Sequence, residues 1–364
     1  MGDTTSAYTS AHVVHSDVSL DDLTRETLNY LAGAQFIRSG LPGLGISVTI
    51  ANQTWSKAFG FADIATKSPF RLDDHFRIAS LTKTFTATAI LRLVDRGQLH
   101  LDDVLDQFVP GIPNGSRITV RNLLSMTSGV FDYPSDPEAR AAFELDPAMP
   151  WTPAESVEIM RRHPPDFEPG TRTVYCHSNF ALLGVILEAV TGLPAADVIN
   201  TEVVANVPGL SRTNFPTEQT VPAPHPVGYA PDPDPARPLR VVDNVNPAVV
   251  WTAGAMTSTI DDLIAWSREL TTSTLLSCEL QQERLRSNRF HGHSMNLGYG
   301  LGIMTLNDLV GHNGALVGGS SAMFRLPLHD TTFIVVSNSS DNFRSATMAI
   351  ALHLVRALFP GQIG

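Results

Sequence analysis

Strand signals stand at both ends of this 364-residue chain, and the stretch between them reads as helix and loop. Near the N-terminus, Leu44-Gly-Ile-Ser-Val-Thr-Ile50 and Thr54-Trp-Ser-Lys-Ala-Phe59 read as two strands around Ala51-Asn-Gln53. Near the C-terminus the same signal returns at 297–304, 309–314, 320–325 and 332–337. A helix capped by Ser19 is expected from Leu20 to Arg38, and a final one from Arg344 to Leu358. Between the two strand sets, helical pieces are expected at 119–124, 154–162 and 179–191, the last with Leu182, Leu183, Ile186, Leu187 and Val190 at helical spacing. This order predicts an α+β fold. One antiparallel β-sheet joins strands from both ends and is flanked by the N- and C-terminal helices, with the middle as a mostly helical second lobe. The expected boundaries are a polar lead-in at 1–17, a discontinuous sheet lobe at 18–95 and 250–364, and a helical lobe with long loops at 96–249.

Length alone calls for one large or two intimate domains. With 43% hydrophobic and 17% charged residues the chain reads as soluble and globular, and its 25 prolines and 26 glycines point to long loops. The proline-rich stretch 216–250 reads as a surface loop, and more boldly as a lid. A net charge of -11 argues against nucleic acid or an anionic membrane surface as partner. Cys176 and Cys278 are too few for a disulfide framework. The N-terminus has neither basic n-region nor apolar h-region, and no apolar run approaches a membrane span, so a cytoplasmic location is the expectation.

One helix carries chemistry. After Arg77-Ile-Ala79 the sequence turns helical through Asp95 and closes at Gly97, placing Ser80 and Lys83 one turn apart on one face. A serine becomes a useful nucleophile when a neighbouring base takes its proton. A lysine is that base only when desolvation or another cation lowers its pKa. The unpartnered N–H groups of the helix's first turn point where an oxyanion would develop. The S-x-x-K pair by itself is weak; a capping serine followed by a solvated lysine gives the same letters.

Other segments fall in a fixed order around it. Gly60-Phe-Ala-Asp63 leads to Phe76-Arg-Ile-Ala-Ser-Leu-Thr-Lys83. Gly97-Gln-Leu-His-Leu-Asp-Asp103, Ile118-Thr-Val-Arg-Asn-Leu-Leu-Ser-Met-Thr-Ser-Gly129 and Phe167-Glu-Pro-Gly170 follow, then Tyr175 and Leu182-Leu-Gly184. Gly254-Ala-Met-Thr-Ser258, Asp261-Asp-Leu263, Gly298-Tyr-Gly-Leu-Gly302 and His312-Asn-Gly314 complete the series. In this order the chain, over residues 20–358, resembles the serine β-lactamase and penicillin-recognising D,D-peptidase family. The likeness is to its class C, D-alanyl-D-alanine carboxypeptidase and esterase-like branches.

The resemblance implies the β-lactamase-like (transpeptidase) fold and an acyl-enzyme on Ser80, with Lys83 and Tyr175 as the proton-handling pair. It implies a histidine version of the far-strand motif at His312, Asn313 and Gly314, with His312 and Asn313 facing the leaving group or a substrate carboxylate. The oxyanion would lie between the N–H groups of Ser80 and Ala315. A phenol of pKa ~10 serves as base only if cations, Lys83 and His312, hold its anion down. The chain departs from the family at His177, which stands where the Y-x-N element has asparagine. His177 is a candidate for Lys83 and substrate contact but lacks a carboxamide's donor-plus-acceptor pair. Cys176 reads as buried filler. No metal or other cofactor is implied; His291-Gly-His293 lacks a third ligand and reads as loop. Tyr133, Tyr229 and Trp251 are aromatic loop residues, candidates for the cleft wall or for plain packing.

The expected activity is hydrolysis of a small amide, peptide or ester, with D-configured residues among the substrates the family implies. An acyltransferase using the same acyl-enzyme and a non-catalytic ligand sensor are the alternatives. The partner expected is therefore a small molecule, with the oligomeric state open.

Overall fold

The computed structural model describes residues 18–232, 234, 236–292, 296–340 and 346–362. The lead-in at 1–17, His293 and the Arg344 start of the last helix lie outside the described residues.

The two ends of the chain meet in one nine-stranded sheet. Its order is Ser68–Pro69, Gln53–Asp63, Gly43–Ile50, Thr331–Ser337, Gly319–Leu326, Leu309–Leu316, Met304–Leu306, Leu297–Tyr299 and Asn288–Arg289. Every pairing is antiparallel, and the seam between the ends is Gly43–Ile50 against Thr331–Ser337, with Ile46 opposite Val335. Gly43–Ile50, Gly319–Leu326 and Thr331–Ser337 are buried at every residue, so the sheet is covered on both faces. Helices Asp22–Ser39 and Ala346–Leu358 pack against each other and the sheet, and Ile260–Thr272 also packs on the central strands. The expected α+β architecture is the observed one.

Local chemistry moves some boundaries. The first helix is capped by Asp21, not Ser19, because its carboxylate accepts from Thr24 N–H at 2.8 Å; Gly40, at φ 64°, ends it. The strand expected at 297–304 breaks in two. Gly302, at φ 75°, turns the chain directly over Ala87, where a Cβ would come within 2.1 Å of the Ala87 side chain. The helix expected from Asn179 begins at His177, since Asp132 supplies the missing N-terminal partners. Helices Pro137–Leu145, Ala195–Glu202, Pro247–Gly254, Ile260–Thr272 and Cys278–Leu285 were not read from the sequence. The stretch 216–250 carries a short hairpin, Tyr229–Pro231 with Leu239–Val241, anchored by Tyr229 N–H to Asn338 O at 2.8 Å and Val227 N–H to Ala62 O at 2.9 Å.

The helical middle is organised on His177–Thr191, which packs against Thr82–Asp95, Val120–Leu124, Pro153–Arg162 and Pro247–Gly254. Among the described residues no single helix is long and apolar enough to cross a membrane; the bent pair His177–Thr191 and Ala195–Asn206 is apolar enough only jointly. Its Phe180, Leu182, Leu183, Ile186 and Leu187 are buried core.

Candidate active site

Ser80 sits on a tight turn gripped from two sides. Phe76–Arg77 pairs with Thr257–Ser258, and Ile78 N–H donates to Met256 O at 3.0 Å. Ala79 then takes φ 48°, a costly conformation for a residue with a Cβ, before the 3-10 turn Ala79–Leu81 runs into helix Thr82–Asp95. Ser321 Oγ donates to Ile78 O at 2.8 Å and ties the turn to the sheet. Buried threonines lock the helix behind it. Thr82 Oγ1 accepts from Met256 N–H at 3.0 Å, Thr84 Oγ1 from Trp266 Nε1 at 2.8 Å, and Thr86 Oγ1 donates to Thr252 O at 2.8 Å. Each satisfied hydroxyl offsets its own desolvation and makes the helix position specific.

Lys83 is wholly buried, and its Nζ donates to Ser80 Oγ at 3.1 Å and to Ala253 O at 2.7 Å. It lies over the rings of Tyr175 and Phe180, 5.0 and 5.6 Å from their centroids. Burial pushes its pKa down to about 7, with Asp132 and Cys176 pulling only partly the other way. A side chain that is an ammonium in water is thus poised to exist as a free amine beside a serine hydroxyl. The Ala253 carbonyl reaches Lys83 from a kinked helix, Pro247–Gly254, in which Trp251 holds φ 34° and ψ -129°. The Trp251 ring packs where a side chain on Gly184 would stand, 2.7 Å from that Cβ position.

Tyr175 completes the group. Desolvation, with Asp132 and Cys176 adding to it, holds the pKa of its phenol well above the ordinary value, although Ser80 draws it down. It is a protonated phenol, not a phenolate. His312 is also not the cation the sequence suggested. It is fully buried, and desolvation followed by the charge of Lys83 drives its pKa down to about 3. Its Nδ1 lies 2.5 Å from Asn313 O and its Nε2 3.0 Å from the Tyr299 hydroxyl. A carbonyl only accepts, so Nδ1 carries the proton and Nε2 accepts from Tyr299 O–H. Both ring nitrogens are engaged within the protein. The expected Lys83 and His312 cations beside a Tyr175 anion run against these shifts, since desolvation drives the pKa of both bases down and that of the phenol up.

Gly314 lies against the nucleophile turn: a Cβ there would stand 2.6 Å from Ile78 O and 2.8 Å from Ser80 N. Among the described residues the neighbouring strand Met304–Leu306 pairs only with Leu309–Gly311, so the strand from His312 to Leu316 presents an open edge beside Ser80. Ala315, half-buried, sits on that edge, and Asn313 is half-buried too.

His177 does not take the place of a Lys83-bound amide. Its Nδ1 faces Asp132 Oδ2 at 3.2 Å, its ring meets Tyr175 edge-on at 5.2 Å, and about a third of its side chain is exposed. Asp132 also accepts from the N–H groups of His177 and Ser178, at 2.6 and 3.2 Å, which anchors the helix that follows Tyr175. Burial alone would raise the Asp132 pKa; the His177 ring and these donors outweigh it and hold the carboxyl below its ordinary value. Asn179 is structural, accepting from Ser128 Oγ at 2.5 Å and donating to Met126 Sδ at 3.2 Å. Cys176 is buried with its thiol pKa pushed well up, as filler should be. Tyr133 and Tyr229 are buried, their hydroxyls bonded to Val249 O and to Ile64 N–H.

Three participants escaped sequence reasoning: Asp132, Tyr299 and the carbonyl of Ala253. Tyr299 stood inside the quoted Gly298-Tyr-Gly-Leu-Gly302 motif, and Asp132 three residues beyond Gly129. The Ala253 carbonyl has no signature in side-chain letters. Among the described residues no group of histidine, cysteine, aspartate and glutamate is arranged to hold a metal ion.

The family model described as Beta-lactamase matches residues 20–357. The chain belongs to the β-lactamase family. Among relatives in this family, Penicillin-binding protein 4* of Bacillus subtilis (strain 168) is 26% identical over 317 residues, covering 82% of this chain and 68% of its own. The D-aminopeptidase of Brucella anthropi is 29% identical over 266 residues, 72% of this chain and 49% of the relative, so the chain spans about half that protein's length. The solved D-stereospecific amidohydrolase from Streptomyces sp. superposes with a TM-score of 0.80 at 28% identity, covering 93% of this chain and 98% of that one. The relatives are thus named hydrolases and penicillin-binding proteins, and the fold is the β-lactamase-like one that the motif order implied.

Proposed function

We propose that the protein is a serine hydrolase that forms an acyl-enzyme on Ser80 from a small amide, peptide or ester, with D-amino acid derivatives the first substrates to try. The observation that carries this reading is the buried Lys83 amine, pKa about 7, at 3.1 Å from Ser80 Oγ. The neutral amine takes the serine proton as Oγ bonds to the substrate carbonyl carbon. The carbonyl becomes an oxyanion held by the N–H groups of Ser80 and Ala315. Tyr175, whose pKa desolvation holds up, gives its proton to the departing amine or alcohol as the C–N or C–O bond breaks, and the Lys83 ammonium restores it. Water repeats the sequence on the ester and releases the acid.

The names of the D-aminopeptidase and the D-stereospecific amidohydrolase support D-configured amides. The engagement of both His312 ring nitrogens supports substrates whose leaving side is uncharged, since this strand offers no histidine cation to a carboxylate. The test is intact-mass measurement after incubation with a β-lactam or fluorophosphonate probe, beside turnover of D-phenylalanine amide and ester. One adduct on the wild type, none on S80A, and loss of at least about a thousandfold in turnover are expected. An equal adduct or equal turnover in S80A sinks the assignment. Adding a competing amine separates transfer from hydrolysis, and an unchanged product ratio is the outcome expected.

A further inference from the structure

A cavity of about 750 Å³ lies away from Ser80. It opens between the helical lobe and the far edge of the sheet, and none of Ser80, Lys83, Tyr175 and His312 lines it. Four guanidinium groups do: Arg121, Arg172, Arg286 and Arg289, with Glu283 as the single carboxylate among the described residues of the wall. Glu283 is held between two of them, ion-paired with Arg121 and lying 3.1 Å from Arg286. Asp102 approaches Arg121 at 3.5 Å from outside the lining. Even with Asp102 counted, the cavity keeps a surplus of two positive charges in a chain whose net charge is -11. Arg172 and Arg289 are both exposed.

We infer that this cavity is a binding site for a small anion carrying two or more negative charges, of the phosphate or multiple-carboxylate kind. Guanidinium forks match either oxyanion in a bidentate manner. The volume suits a small molecule. The negative field of the whole chain repels a long polyanion while the local arginines hold a compact one. The site is separate from the nucleophile, so this inference stands or falls independently of the hydrolase reading.

The test is isothermal titration of the full chain at low ionic strength with pyrophosphate and with citrate, against chloride as control. Saturable one-to-one binding of at least one anion is expected, and which of the two binds assigns the source class. The double variant R172A/R289A should weaken that binding at least tenfold while adding no loss of Ser80-dependent probe labelling. R172Q/R289Q, checked for an unchanged melting temperature, serves if the alanine variant fails to fold. Absence of saturable binding for both anions, or equal binding by wild type and a folded variant, overturns the inference.

Discussion

The Ser80 cluster and the arginine-lined cavity use charged side chains in opposite ways. Around Ser80 desolvation moves three titrating groups: Lys83 is pushed down to about 7, His312 to about 3, and Tyr175 well up. In the cavity Arg172 and Arg289 are exposed and Arg121 and Arg286 keep 39% and 76% of their side chains in solvent, so water and salt screen them. The dry cluster shifts the titration of ordinary residues by withholding water. The wet one can only attract.

The largest break in that contrast should come from removing the shifted amine. K83M is expected to lower kcat/KM by about a thousandfold, within the range of a general base. Wild-type kcat/KM should rise with pH through about 7, because the amine must be neutral to accept the serine proton. Stability carries the same sign. Between about 7 in the folded state and 10.5 unfolded, the unfolded chain binds the extra proton, so stability climbs as pH rises through that window. K83M should abolish the climb, as urea unfolding at the two ends of the window would read. A wild-type acid limb well above this range would mean that the cluster is wetter than the structure has it.

A smaller effect is expected from Tyr299→Phe. The phenyl ring fits the same wholly buried place but leaves His312 Nε2 without its donor, a cost of about 1–3 kcal/mol for a buried acceptor. Denaturant melts should show that loss, and turnover should drop by about tenfold as the far strand loses its fixed tautomer. Unchanged stability would mean that the Tyr299–His312 bond does not hold the ring. The smallest effect sharpens the comparison most directly. Raising salt from about 20 to 500 mM should weaken anion binding in the cavity several-fold, yet move the acid limb of kcat/KM by less than about 0.3 pH unit. A catalytic limb that moved as strongly as the binding would erase the distinction between dry and wet sites.

Much of this was legible before any coordinates. Strands at 44–50 and 332–337 announce themselves by apolar β-branched runs, and the S-x-x-K pair lies on a helix whose start is plain. Gly314 was legible only as part of the far-strand motif, and the structure places it against Ser80 N. Shorter elements were harder. Pro137–Leu145 buries none of its residues and so gives no apolar stripe to read, while Pro247–Gly254 is interrupted by the Trp251 kink. His177 at a helix start, and its pairing with Asp132 45 residues away, needed the fold to become visible.

By itself the sequence determined which residues are present at which spacing: a hydroxyl and an amine one turn apart, a tyrosine after Phe167-Glu-Pro-Gly170, and strands enough at both ends for one sheet. Only the tertiary structure decided their charges. The state of a lysine, tyrosine or histidine depends on how much water surrounds it and which dipoles face it, and those are supplied by residues distant in the chain. Ala253 O and Tyr299 O–H reach Lys83 and His312 from other elements, and the burial that folding imposes lowers the pKa of both.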